Sequence, residues 1–421
     1  MSNLFPSASA RRAARHRARA RSEALANTNQ EPCQTGVFTE RVCVIDLPTV
    51  ASRDRSLPAR QFLPATSAAR RRLDSGRRAI LSCPPRGNAV PDAARVIPLD
   101  ILDLHFVAES EVAFGSFPGS AWRGALGHSL KRLVCIMRRR PCEGCAIEVS
   151  CLYTRLFEPR SDGRDPLLGR VDRAPQPFVL DCRTATPCRL RPGDPFLLRL
   201  VLIGRETREA AVYLLRAVEE AARHGIGPGR GRLRLAAIEL RDPTGGNSIS
   251  CMDASGRLRL PEPFPMTVPP APERVRILLE APLRMRHEGA LVGPGRFTVG
   301  MFLMNLVRRQ SLLARFHGDG PPDLDFRALR ELASRLEAGE AQLAWREQLR
   351  RSARQATLMR MGGLVGRFEL DLRGAEAFWP FLWRGQFLHA GKATSMGLGR
   401  YRLEPLEPPG GRTRDATEEM A

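Results

Sequence analysis

Three groups of side chains in this sequence are of types that do chemistry. The first is His128 and Lys131, three residues apart in the stretch SAWRGALGHSLKRLVC, a spacing that puts both on one helical face beside Gly124. A histidine titrates near operating pH, at about 6.5, and so suits general base or acid work. A lysine ammonium suits the stabilisation of negative charge that builds up in a transition state. On the same helix Trp122, Leu126, Leu130 and Leu133 form an apolar stripe, and His128 lies off it. His389 is the second histidine candidate, for the opposite role, provided that the fold brings it to the same groove. His105 in an expected strand and His224 at an expected helix end read more simply as structural residues.

The second group is the glycine-rich run HAGKATSMGLGRYRLEPL at 389–406. It is not a mononucleotide P-loop, because Ala393 follows Lys392, the upstream glycine spacing is wrong, and a strand-like segment follows where a helix should. Glycines still let backbone amides approach phosphate oxygens. Gly391, Gly397 and Gly399 would supply that approach, and Lys392, Thr394, Ser395 and Arg400 would add donors to a sugar–phosphate backbone. A matching run, Gly227-x-Gly229-Arg230-x-Arg232-Leu233, repeats Gly397-x-Gly399-Arg400-x-Arg402-Leu403, which makes Arg230 and Arg232 candidates too. Arg123, on the His128 helix, is a further candidate contact.

The third group is Cys135, Cys142, Cys145 and Cys151, four of the chain's ten cysteines. Four thiolates in a short segment suit a structural zinc or an iron–sulfur cluster, although only the middle pair is a C-x-x-C. The alternative is reduced cysteines packing a loop. An all-cysteine set leaves no open coordination position, so any metal there is expected to be structural.

Composition narrows the partners. The chain has 421 residues, a formal charge of +21 and a pI of about 11, which points to a polyanion such as nucleic acid. Only Lys131 and Lys392 among 66 basic residues are lysines. No apolar run is long enough for a bilayer span and no secretory signal is visible, so no membrane is expected and the cytoplasm is the expected location. Residues 1–94 hold 16 arginines against 7 acidic residues without sustained periodicity. They read as a basic, disordered arm, as sequence upstream of the true start, or as an RNA tether.

Globular patterning begins near Ile97. Strand-like IPLDILDLHFVAES precedes the His128 helix, a cysteine-rich insertion, the strand DPFLLRLVLIG, the helix REAAVYLLRAVEEAARHG and the strand RLRLAAIEL. From Arg274 the order recurs: the strand RVRILLEAPLRMR, the helix FTVGMFLMNLVRRQSLLARF, more helix through 322–350, the strand GGLVGRFELDL, a short helix GAEAFWPFLWRG, the glycine loop and RYRLEPL. The repetition predicts an α+β chain of tandem ferredoxin-like βαββαβ domains, over 95–268 and 269–408, with a 409–421 tail.

Tandem units with such loops resemble the RAMP superfamily of CRISPR-associated proteins. The stretch GQFLHAGKATSMGLGRYRL is similar to the C-terminal glycine-rich signature of the Cas6 family, which cleaves precursor CRISPR RNA. GSAWRGALGHSLKRLVC with CEGCAIEVSCLYTRLFEP is similar to the N-terminal half of one of its branches. The resemblance covers about residues 97–406. It implies a metal-independent endoribonuclease that binds CRISPR repeat RNA, with other Cas proteins as further partners. The RNA's own 2′-hydroxyl would attack the adjacent phosphate to give a 2′,3′-cyclic phosphate and a 5′-hydroxyl, with His128, Lys131 and His389 as the catalytic candidates. A non-catalytic RAMP subunit that only holds CRISPR RNA in an effector complex is the alternative, and a zinc-containing nucleic-acid-binding protein outside CRISPR a third reading.

Overall fold

Leu102, Leu104 and Phe106 face one side of strand β1 (Leu99–Ala108), Leu99 and Ile101 face the other, and all five are buried. A strand apolar on both faces needs cover on both, and that requirement organises the molecule. The computed structural model describes residues 97–137, 141–161, 173–183, 188–253, 257–320, 322–352 and 357–406. The arm expected over 1–94 and the tail expected over 409–421 lie outside the described residues.

The first unit continues through β2 (Val112–Phe114), α1 (Pro118–Val134), α2 (Leu152–Phe157), β3 (Phe178–Cys182), β4 (Cys188–Leu190) and β5 (Pro195–Ile203). It then adds α3 (Arg205–Glu209), α4 (Ala211–His224), β6 (Leu233–Arg241) and β7 (Ser248–Ser250). Its sheet runs β3-β5-β1-β6-β7 with antiparallel pairing. The second unit comprises β8 (Arg274–Leu283), β9 (Arg286–His287), β10 (Ala290–Leu291), α5 (Val299–His317), α6 (Phe326–Ser334) and β11 (Ala341–Arg346). The hairpin β12 (Leu349–Ser352) and β13 (Thr357–Arg360), then β14 (Gly363–Asp371), α7 (Trp379–Leu388) and β15 (Tyr401–Leu406) complete it. Its sheet runs β11-β14-β8-β15, again antiparallel.

Without the small hairpins each unit is βαββαβ. In each, the first and third principal strands pair at the centre, the second flanks the third and the fourth flanks the first. Two copies of that order make the chain a tandem ferredoxin-like α+β protein.

Each unit packs its helices on one face of its sheet. Trp122, Leu126, Leu130, Leu214 and Val218 meet β1 and β5 in the first, and Phe302, Leu306, Phe378 and Leu382 meet β8 and β14 in the second. A third apolar cluster joins them: Leu99, Ile101, Val179, Val201 and Ile203 on the open face of the first sheet meet Leu313, Ala314 and Leu388 of the second unit.

Two sequence expectations need correction. Residues 322–350 are not continuous helix, because α6 stops at Ser334 and β11 pairs with β14 as an edge strand whose side chains are mostly exposed. Leu133 does not extend the α1 stripe: it is 47% exposed, and Val134 beside it packs against the core instead. Among the described residues no helix is long and apolar enough to cross a membrane.

Candidate nucleic-acid interface

Helix α1 presents three rows. Trp122, Leu126 and Leu130 are fully buried in the first core. Gly119, Arg123, Gly127 and Lys131, four residues apart, face the second unit and the cysteine-rich segment. Gly124 and His128 lie on the third row, exposed, and a Cβ at Gly124 would meet nothing within 4 Å. Pro118 starts the helix at a position where a missing amide hydrogen costs nothing.

The packed row explains the glycines. A Cβ at Gly119 would collide with the carbonyl oxygen of Met396, so the two units meet backbone to backbone there. Gly397 repeats the device from the other side: its φ is 88°, and a Cβ would lie 2.8 Å from the carbonyl of Leu180 in the first unit. Between these contacts, Arg123 Nε donates to Ser395 Oγ at 3.3 Å and its guanidinium lies 5.4 Å from the Phe157 ring centroid. Ser395 in turn donates to Gln176. Burial, and next the charge of Arg350 on β12, hold Arg123 below its ordinary pKa. Arg350 is itself held low by burial, and its Nε is buried without a hydrogen-bond partner. The charge of Arg350 in the second unit therefore bears on Arg123 in the first.

At the start of α1, Ser116–Gly119, the end of β8, Arg346, Gln348 and the tip of the glycine loop enclose a cleft of about 240 Å³. Lys392 and His128 are exposed, as are Arg230 and Arg232 on the first unit's loop. These are the free groups among the expected site residues.

Several others are committed to the protein. Arg400 pairs with Asp181 of β3 and, at 3.0 Å, with Glu280 of β8, so it joins the units and is not free for a phosphate. Burial raises the Asp181 carboxyl, but Arg400, then His389 and Arg183, more than offset it and bring its pKa to about 2. Thr394 and Ser395 are each 6% exposed. Gly391 and Gly399 shape the turn, with φ of 78° and 72°.

His389 does not reach a groove. It is 1% exposed, its Nδ1 lies 3.3 Å from the Leu398 carbonyl, and burial pushes its pKa down to about 4. A neutral, enclosed imidazole cannot exchange protons with a bound polymer, so the reserve catalytic role is withdrawn. Lys131 turns away from His128: its Nζ lies 3.2 Å from Cys142 Sγ and 5.4 Å from the Tyr153 ring centroid, and the Cys142 contact raises its pKa.

The cysteines do not assemble as the spacing suggested. Cys135, Cys142, Cys145 and Cys151 are free and half-buried, and among the described residues no three His, Cys, Asp or Glu side chains converge as metal ligands. Cys142 accepts an ammonium hydrogen bond instead. The donor set in this arrangement does not fit a tetrahedral metal.

Sequence reasoning missed Asp181, Gln176, Asn305, Arg309 and Arg350. Arg309 is one of three arginines on α5, with Arg308 and Arg315, and like the others it acts through partners far away in sequence.

Comparison with known proteins places the two units separately. Residues 97–263 match a family model described as an N-terminal domain. Residues 277–401 match the model of the CRISPR-associated endoribonuclease Cas6. Among solved structures, a Cas6 product complex is 19% identical over 73% of this chain and 99% of its own, with a TM-score of 0.45. A Thermus thermophilus Cas6 is 16% identical over 73% of this chain and 99% of its own, with a TM-score of 0.42. A partial Cas6-RT-Cas1–Cas2 complex is 14% identical over 75% of this chain and 47% of its own, with a TM-score of 0.44. No curated protein matches the chain. The likeness to the CRISPR-associated endoribonuclease Cas6 family thus lies in the second unit, over residues 277–401.

Proposed function

We propose that the chain binds CRISPR repeat RNA along the open row of α1 and cleaves it without a metal ion. The observation that carries this reading is the exposed row of Gly124 and His128 on α1, in a chain whose second unit matches Cas6. The charge of Arg350 in the second unit bears on Arg123, and a phosphodiester bound beside them would offset it. Gly124 leaves room for a backbone to approach, and His128 stands one turn further along the same row.

In this reading His128 acts as general base toward the 2′-hydroxyl or as general acid toward the 5′-oxygen. The 2′-oxygen bonds to phosphorus as the bond to the 5′-oxygen breaks, leaving a 2′,3′-cyclic phosphate and a 5′-hydroxyl. Charge on the phosphorane falls to arginines of the groove, and to Lys131 if it leaves Cys142. Lys392, Arg230 and Arg232 supply sequence-independent phosphate contacts. Other Cas proteins are proposed as partners on the strength of the family.

The test is purified protein with repeat RNA in EDTA. Cleavage to a cyclic-phosphate product is expected, and His128→Ala should slow the single-turnover rate about 10²-fold or more with affinity nearly intact. A variant that cuts at the wild-type rate removes His128 from the mechanism. Wild-type protein that binds tightly and never cuts moves the chain to the non-catalytic RAMP reading.

A further inference from the structure

We infer that Arg309 and Asn305, one turn apart on α5, are positioning residues that set the conformation of the glycine-rich loop. The inference rests on the reading of that loop as part of the RNA interface. Arg309 Nε donates to the carbonyls of Leu388 and His389, both at 3.1 Å, and its second terminal nitrogen donates to Leu388 at 2.9 Å. Those carbonyls lie where α7 ends, so they carry the negative end of the helix dipole and lack helical partners. Asn305 Oδ1 accepts from the amide of Gly391 at 2.8 Å. Two side chains on one helical row thus grip the loop's first residues.

The loop needs such a grip. His389 has a φ of 59° with a ψ of 162°, and Ala393 a φ of 61°. Residues with a Cβ rarely occupy that half of the backbone map, at a cost of order 1–3 kcal/mol each, and persist there only when their surroundings over-determine them. Arg309 is costly in its own right. Among the described residues no carboxylate pairs with it, and burial pulls its pKa down to about 10. A guanidinium desolvated without a counter-charge is poor for stability and well suited to holding two carbonyls in one orientation.

The experiment compares Arg309→Met, Asn305→Leu and Asn305→Asp with wild type, in RNA affinity against salt and in hydrogen–deuterium exchange of the peptide spanning 389–400. Arg309→Met and Asn305→Leu should each weaken RNA binding about tenfold. The slope of affinity against salt should not change, because no phosphate-contacting cation is lost. Exchange at 389–400 should accelerate in both, and Asn305→Asp, which keeps the acceptor, should restore wild-type exchange. A slope reduced by about one would make Arg309 a direct phosphate contact and overturn the inference. Unchanged exchange in both variants would overturn it as well. If wild-type protein binds no RNA, the proposed function fails while exchange still decides the positioning role.

Discussion

The two glycine–arginine loops descend from matching sequence and end in opposite circumstances. In the first unit Arg230 and Arg232 are exposed, Gly227 and Gly231 press on the backbone of the unit's own β2 region, and Gly229 has open space around it. In the second, Gly397 presses on Leu180 across the unit boundary and Arg400 is held by Asp181 and Glu280. The histidines at the ends of the preceding helices diverge in the same way. The side chain of His224 is 52% exposed on α4, and His389 is enclosed after α7. One motif therefore serves as a free basic surface in one copy and as a joint in the other. Position relative to the partner unit decides which, since the motif itself hardly differs.

The strongest break in that comparison is Arg400→Ala against Arg230→Ala. The first leaves the buried Asp181 carboxylate with only its ion pair to Arg183, at 2.9 Å, and should cost about 2–4 kcal/mol. The second touches an exposed side chain and should stay within about 0.5 kcal/mol. Denaturant melts of both decide it, and equal losses would show that the loops are equivalent after all.

Acid separates the two histidines next. The folded pKa of His389, about 4, lies below its ordinary 6.5, so between those values the unfolded chain takes up the proton first. Stability is then fully present above 6.5 and falls as pH drops toward 4, by up to about 3 kcal/mol from this group. His389→Asn, which tolerates a positive φ and does not titrate, should flatten that part of the profile. An unchanged profile would place the acid sensitivity elsewhere.

Gly397→Ala against Gly229→Ala is a smaller contrast. The first meets a left-handed φ and the Leu180 carbonyl and should cost about 1–3 kcal/mol. The second should be near neutral, and thermal melts read both. Smallest in free energy is the effect expected of Arg230→Ala and Arg232→Ala on RNA affinity. Each should lower the salt slope by about one phosphate contact, and an unaltered slope in both would remove the first loop from the interface.

The sequence made the long elements legible because their periodicity is local: β1, β5, α4, α5 and β14 lie where alternation or the 3.6-residue period put them. It did not reveal β11, whose side chains are mostly exposed and whose strand state comes from β14 beside it. The fate of the candidate residues was less legible. Arg400 and Asp181 are 219 residues apart, and neither carries a local mark of the pairing. Exposure of His128 was readable from its place off the α1 stripe, whereas enclosure of His389 depends on packing across the unit boundary.

The face of the first sheet that carries Ile101 and Val201 has a further consequence, during synthesis. Its cover includes Leu313, Ala314 and Leu388, and the last of these leaves the ribosome long after β7 ends at Ser250. At about 5–20 residues per second, that face waits roughly seven to thirty seconds for its final covering residue. A nascent first unit is therefore expected to be sticky on one side and to need shielding until α7 emerges. Stalling or truncation between 250 and 388 should yield aggregates, not a soluble half-protein.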